Sequence, residues 1–217
     1  MKTLEIRQLN FLQEYPGLDA ISTELDNAGP PEPLDIINWK EFSYKPEAGF
    51  KMAFTDREIL LKYYIREHCT KAEMTEPNQP VWEDSCVEFF VSPADDGIYY
   101  NLEMNPVGTC LLGTGTGRSE RTRADSAIIR KIRTKSSLGT APFSEKKIDG
   151  MWSLTVAIPL DVLYLHNIGN LHGMEFRANF YKCGDRLSMP HYLSWNRIMT
   201  AKPDFHKPDF FGKIMFI

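Results

Sequence analysis

Hydrophobic and polar positions alternate with a period of two along most of this chain. Val87, Phe89 and Val91 share one face of a predicted strand, while Cys86, Glu88 and Phe90 share the other. Ile98, Tyr100, Leu102 and Met104 likewise alternate with Tyr99, Asn101, Glu103 and Asn105. The intervening turn, Ser92 to Gly97 (SPADDG), predicts antiparallel neighbours whose polar faces lie side by side. Leu61, Tyr63 and Ile65 alternate with Lys62, Tyr64 and Arg66. Trp152, Leu154, Val156 and Ile158 form another strand, stopped at Pro159. In 174–181, Met174, Phe176, Ala178 and Phe180 point inward, and Glu175, Arg177, Asn179 and Tyr181 point outward. Further strands are predicted over 3–8, 50–55, 109–112 and 210–217, with a short helix over 19–25 and a helical turn over 160–165.

Roughly ten short strands with almost no helical periodicity predict an all-β protein. The expected architecture is an antiparallel, jelly-roll-like β-sandwich with few short helical turns. Residues 1–217 read as one domain, with 1–33 an N-terminal extension packed on it, because GPPEPLD (29–35) is a stiff connector with too little before it to fold alone. Gly113-Thr114-Gly115-Thr116-Gly117 lacks the Gly-Lys-Ser/Thr ending of a phosphate loop and reads as a flexible sheet-edge loop. The basic cluster that follows, from Arg118 to Lys135, reads in part as a solvated strand face, with Arg118 at the loop mouth.

Composition narrows the function. Hydrophobic content of 42% and charge of 25% are those of an ordinary soluble globular protein, and a net charge of -4 argues against nucleic acid as a partner. No apolar run approaches the roughly 20 residues of a membrane helix. The start shows no signal peptide, so the chain as written reads as cytoplasmic; one trimmed of a leader would look the same and be extracytoplasmic. Cys69, Cys86, Cys110 and Cys183 contain no C-x-x-C pair and are expected as reduced, buried thiols. His166, His172, His191 and His206 share no metal-ligand spacing and are expected in solvated or capping roles.

The candidate chemistry lies around Trp82 and Glu88, an indole on a loop and a carboxylate on the polar face of the strand that follows. A flat apolar plate and an ionised acceptor are what recognition of a pyranose needs. Asp95, Asp96 and Asp125 have calcium-ligand chemistry but read as turn formers, which leaves Glu83 and Asp84 as the metal candidates.

The blocks WEDSCVEFFV, YYNLEMNPVG and FRANFYKCG, the late SWN and the closing FHKPDFFGKIMF, in this order, resemble the family 9 carbohydrate-binding modules. The likeness covers about 34–217. It implies a sugar-binding β-sandwich, with a mono-, oligo- or polysaccharide as partner, and a role in breakdown of plant-type xylan or glucan, often beside a glycan-degrading enzyme. It also implies structural calcium. By position, Trp82 and Trp195 correspond to two tryptophans that clamp a sugar ring, with Glu88 holding its hydroxyls. Asn101, Glu103, Asn105, Asn179 and Asn196 join them as hydrogen-bonding candidates. Relatives that grip chain ends place a basic residue where this chain has Asn101 and Glu103, so Arg118 or Arg177 is the expected substitute. Two other readings stand beside this one: a glycoside hydrolase using Glu88 and Glu103, and a protein-interaction sandwich with both tryptophans buried.

Overall fold

A computed structural model describes residues 1–217. The chain folds as two packed sheets with a separate two-stranded ribbon, Thr70–Ala72 with Phe143–Lys146. The larger takes its order from the parallel pair Thr3–Ile6 and Gly212–Phe216, then Glu175–Cys183, Cys86–Ser92, Tyr99–Met104, Cys110–Gly115 and Thr122–Arg123. Tyr192–Ser194 pairs with Glu175–Cys183 and carries the two-residue strand Ile36–Ile37 on its far side. The smaller sheet runs Arg133–Ser136, Trp152–Pro159, Glu58–Arg66, Glu47–Phe54 and Glu32–Pro33.

The inner faces meet because of the alternation. Phe50, Tyr63, Phe89, Phe176 and Phe180 are all at most 1% exposed in the core between the sheets. Phe50 stacks on Phe180 at 3.8 Å between ring centroids, across the interface. The helix Leu18–Asn27 covers the other side of the smaller sheet, burying Ile21 and Leu25 against Ala53, Leu60 and Ala157. No helix is long and apolar enough to cross a membrane.

The larger sheet also has a buried outer face. Trp39, Val81, Cys86, Phe90, Tyr99, Tyr181, Phe205 and Phe211 pack there beneath long loops. A cavity opens beside this second, smaller core.

One expectation is corrected and one holds in part, since Thr122–Arg123 and Arg133–Ser136 of the basic stretch are exposed or half-exposed strand. The glycine stretch is strand for three of its five residues, since Gly113 to Gly115 belong to Cys110–Gly115. The glycine at 113 is required by close approach: a Cβ there would stand 2.4 Å from the Asn101 Oδ1. The basic stretch includes a single helical turn, Ser126–Ile129, capped by the Asp125 carboxylate, which accepts from the Ala127 N–H. Ile129 and Ile132 of that stretch face the core rather than solvent.

Candidate functional site

Three adjacent strands of the larger sheet supply the floor of the opening. Glu88 stands directly opposite Glu103 across one strand pair and opposite Tyr181 across the other, while Cys86 faces Cys183. The antiparallel pairing expected from the Asp-Gly turn is therefore present, and both carboxyls come from its polar face. Trp82, Glu88, Glu103, Arg118, Cys183 and Asp185 line a cavity of about 160 Å³ with Arg121 and Tyr192; Pro203, Asp204, Phe205 and His206 close one side.

Local structure fixes each wall. Val81, fully buried, anchors the 3-10 turn Val81–Glu83, so its neighbour Trp82 is held half-buried at the rim. The Trp82 carbonyl accepts the Asp185 N–H at 3.0 Å, joining this turn to the loop after Cys183. The Arg123 guanidinium lies 5.5 Å from the indole centroid, a cation–π contact that steadies the ring. Phe205 stacks on Tyr181 at 4.1 Å and fixes the 203–206 wall.

The electrostatics of the floor are unusual. Glu88 and Glu103 are each only 3% exposed. Burial, and then the Glu103 charge, push the Glu88 pKa well above the ordinary carboxylate range. Glu103 is raised by burial against the lowering influence of Arg121, whose Nη1 stands 3.5 Å away. Asn101 Nδ2 also donates to Glu103 at 2.8 Å, while Glu88 receives one hydrogen bond, from the Cys183 thiol at 3.0 Å. Burial lifts Asp185 from 3.8 to about 6. His206 is lowered to about 2 by burial and the surrounding arginines. Its Nε2 accepts from Arg121 at 2.8 Å, so the neutral ring carries its proton on Nδ1, 2.9 Å from the Tyr99 hydroxyl.

Trp82, Glu88, Glu103 and Arg118 are brought together as expected, and Asn101 braces Glu103 from beside it. Five candidates lie elsewhere. Trp195 is fully buried between the sheets, edge-on to Phe50 and Phe180, with its Nε1–H directed to Glu32 at 3.3 Å. It cannot stack on a ligand in the cavity, and the two-tryptophan clamp is corrected accordingly. Parity is the reason: Tyr192 pairs with Cys183 on the cavity face, and Trp195, three residues on, bonds its N–H to the Phe180 carbonyl and turns inward. The Asn179 side chain donates to the Asn196 carbonyl and accepts from the Asn196 N–H, and the Asn196 Oδ1 accepts from the Lys2 N–H. Arg177 donates to the Pro208 carbonyl, and Asn105 ties the 105–109 turn to Met74 and Asp84. These four are structural ties rather than cavity groups.

The calcium candidates do not fit a cation. One Asp84 oxygen already accepts from the Glu73 and Met74 N–H groups and from Asn105, and the Lys71 ammonium stands 3.9 Å from the other. Glu83 faces Arg186 at 3.8 Å. Sequence reasoning also passed over Arg121, Asp185, Tyr192, Asp204, Phe205 and His206. Of these, Arg121 and the aromatic at 192 were readable as a basic residue and a ring next to marked positions.

The chain is thus a β-sandwich with an aromatic-rimmed, polar-floored cavity on the outer face of one sheet. The profile of Carbohydrate-binding family 9 matches residues 22–216. The chain belongs to that family, which makes it a carbohydrate-binding module rather than an enzyme. It is 40% identical to a candidate carbohydrate-binding protein from Bacteroides uniformis ATCC 8492, over 100% of this chain and 99% of that one, with a TM-score of 0.95. Family 9 modules from Caldicellulosiruptor kristjanssonii share the fold at lower identity. One, in complex with cellotriose, is 12% identical with a TM-score of 0.60, covering 99% of this chain and 93% of its own. The other, in complex with glucose, is 13% identical with a TM-score of 0.55, covering 100% and 96%. No curated protein matches the chain.

Proposed function

We propose that the outer-face cavity is the sugar site and that it takes one terminal ring of a gluco-configured oligosaccharide or polysaccharide. The observation that carries this is the meeting of the Trp82 indole with the Glu88–Glu103 pair in a single cavity of about 160 Å³. That volume is below the roughly 300–1,000 Å³ of a drug-sized pocket and suits one ring rather than an extended chain. Trp82 serves as the platform for an apolar C–H face, with Tyr192 in the place expected of a second tryptophan. Glu103, held by Arg121 and Asn101, accepts hydroxyl protons, and Glu88 in its protonated form both donates and accepts. Arg118 and Arg121 supply the cationic donors that Arg177, tied to a backbone carbonyl, does not. Relatives seen with glucose and cellotriose support the gluco-configured choice. Service to an enzyme degrading plant-type glucan or xylan belongs to the same proposal.

Calorimetric titration with glucose, cellotriose and xylotriose tests the reading. Binding of at least one sugar, at one site per chain, is expected for the native protein and weakened roughly 5- to 30-fold in Trp82→Ala. A Trp82→Ala protein that binds sugar as well as the native chain moves the site elsewhere.

A further inference from the structure

The floor of the cavity also holds two cysteines that sugar recognition does not use, beside the Glu88 that it does. Cys86 and Cys183 are cross-strand partners, and Glu88 is two residues along from Cys86, so the three side chains rise from the same sheet face. The two sulfurs and a Glu88 carboxyl oxygen all lie within 4.8 Å of one another. The cysteines are free thiols, and all three residues are at most 3% exposed. Their present hydrogen bonds are few. The Cys183 thiol donates to Glu88, and the Cys86 thiol points at the Val87 carbonyl from 3.7 Å.

We propose that Cys86, Cys183 and Glu88 form a binding site for a thiophilic divalent cation of the zinc class at the base of the cavity. Two thiolates and a carboxylate are a ligand set suited to zinc, and carboxylate-rich calcium sites use no sulfur. Zinc–sulfur bonds of about 2.3 Å in tetrahedral geometry set the sulfurs about 3.8 Å apart, within the spread of this cluster. Both thiols and the Glu88 carboxyl lose their protons to solvent on binding, and the cation then offsets three negative charges that would otherwise repel one another in a buried place. Glu88 and Cys183 also line the cavity, which gives the ion its entry path and leaves a fourth coordination position open to water or a ligand oxygen. The remaining cysteines stand apart from the set, so Cys69 provides an internal control. The site does not depend on the sugar reading: a cation is bound whether or not a glycan is.

The test is a titration of the intact chain, kept reduced with a phosphine, with cadmium ion as the spectroscopic stand-in for zinc. The expected result is a thiolate-to-cadmium charge-transfer band that saturates at one equivalent, with a cadmium NMR shift of mixed sulfur and oxygen coordination. The band disappears in Cys86→Ser and Cys183→Ser and is retained in Cys69→Ala. In Glu88→Gln it is retained with affinity at least tenfold weaker. Because the NMR shift is read on the native chain, a serine variant that fails to fold does not decide the matter. No band at excess cadmium, a shift with no sulfur coordination, or a band that survives Cys183→Ser overturns the site. Glucose titration of the metal-free protein separately decides the sugar proposal.

Discussion

Two buried polar clusters stand back to back on the same sheet, and their difference separates scaffold from site. On the inner side, Lys182 is fully buried and its ammonium meets Glu67 at 2.9 Å, His191 Nε2 at 2.8 Å and the Cys183 carbonyl at 2.7 Å. Glu67 in turn accepts from Trp152 Nε1 and the Thr70 hydroxyl. On the outer side, Glu88 has one thiol for a partner. The first cluster is sealed and its donors are spent. The second is sparsely paired at Glu88 and opens into a cavity, as the proposed sugar site requires.

The sharpest way to break this comparison is to remove one partner from each side. Lys182→Met leaves the Glu67 carboxylate buried without its cation, and a cost of about 3–5 kcal/mol in unfolding free energy is expected by denaturant titration. Glu88→Gln, on the other face, removes no ion pair and is expected to leave unfolding unchanged within about 0.5 kcal/mol while weakening glucose binding. Equal destabilisation by both would mean that the outer cluster is scaffold too.

The two tryptophans carry the same comparison to larger side chains. Trp195→Ala empties a buried position edge-on to the stacked Phe50 and Phe180, and a loss of about 3–5 kcal/mol is expected. Trp82→Ala removes a half-buried rim residue. It is expected to cost under about 1 kcal/mol of stability and about 1–2 kcal/mol of sugar affinity, read by calorimetry. If Trp82→Ala unfolds and Trp195→Ala binds normally at full stability, the assignment of the two faces is inverted.

Much of this division was legible in the sequence, because period-two alternation sorts side chains onto faces without any knowledge of the fold. The strand pair carrying Glu88 and Glu103, and their cross-strand contact, follow from it directly. The same rule bore on Trp195. Tyr192 and Trp195 are an odd number of residues apart, so within one extended segment they take opposite faces, and Tyr192 goes to the cavity. Matching by family position put weight on the wrong ring. What alternation could not supply was the loop contribution. Arg121, Asp185 and His206 reach the cavity from three loops far apart in sequence, and their meeting depends on how the outer-face aromatics Tyr99, Tyr181 and Phe205 seat those loops. Nor does alternation distinguish an asparagine facing a ligand from one tying a backbone, as Asn179 and Asn196 do.

The finest test of the comparison is the pH dependence of stability, where both clusters hold a neutral histidine. His206 on the outer side and His191 on the inner are each lowered from 6.5 to about 2, chiefly by burial and then by nearby cations. A histidine with a depressed folded-state pKa binds protons better when unfolded, so its contribution is complete above pH 6.5 and is lost as pH falls toward about 2. Asp185, raised from 3.8 to about 6, acts with the opposite sign: its folded form holds a proton that the unfolded chain has released, so stability from this group is lost as pH rises from 3.8 through 6. The total slope mixes these effects, but a difference between two proteins isolates one of them. His206→Gln keeps a neutral side chain able to bond Tyr99 and Arg121 and removes one titration. Below about pH 6 its unfolding free energy is expected to fall less steeply than that of the native chain, by about 1.4 kcal/mol per pH unit. Parallel curves would show that His206 gains its proton in the folded cavity, where solvent reaches it, and the outer cluster would then be more open than the inner one by a measurable margin.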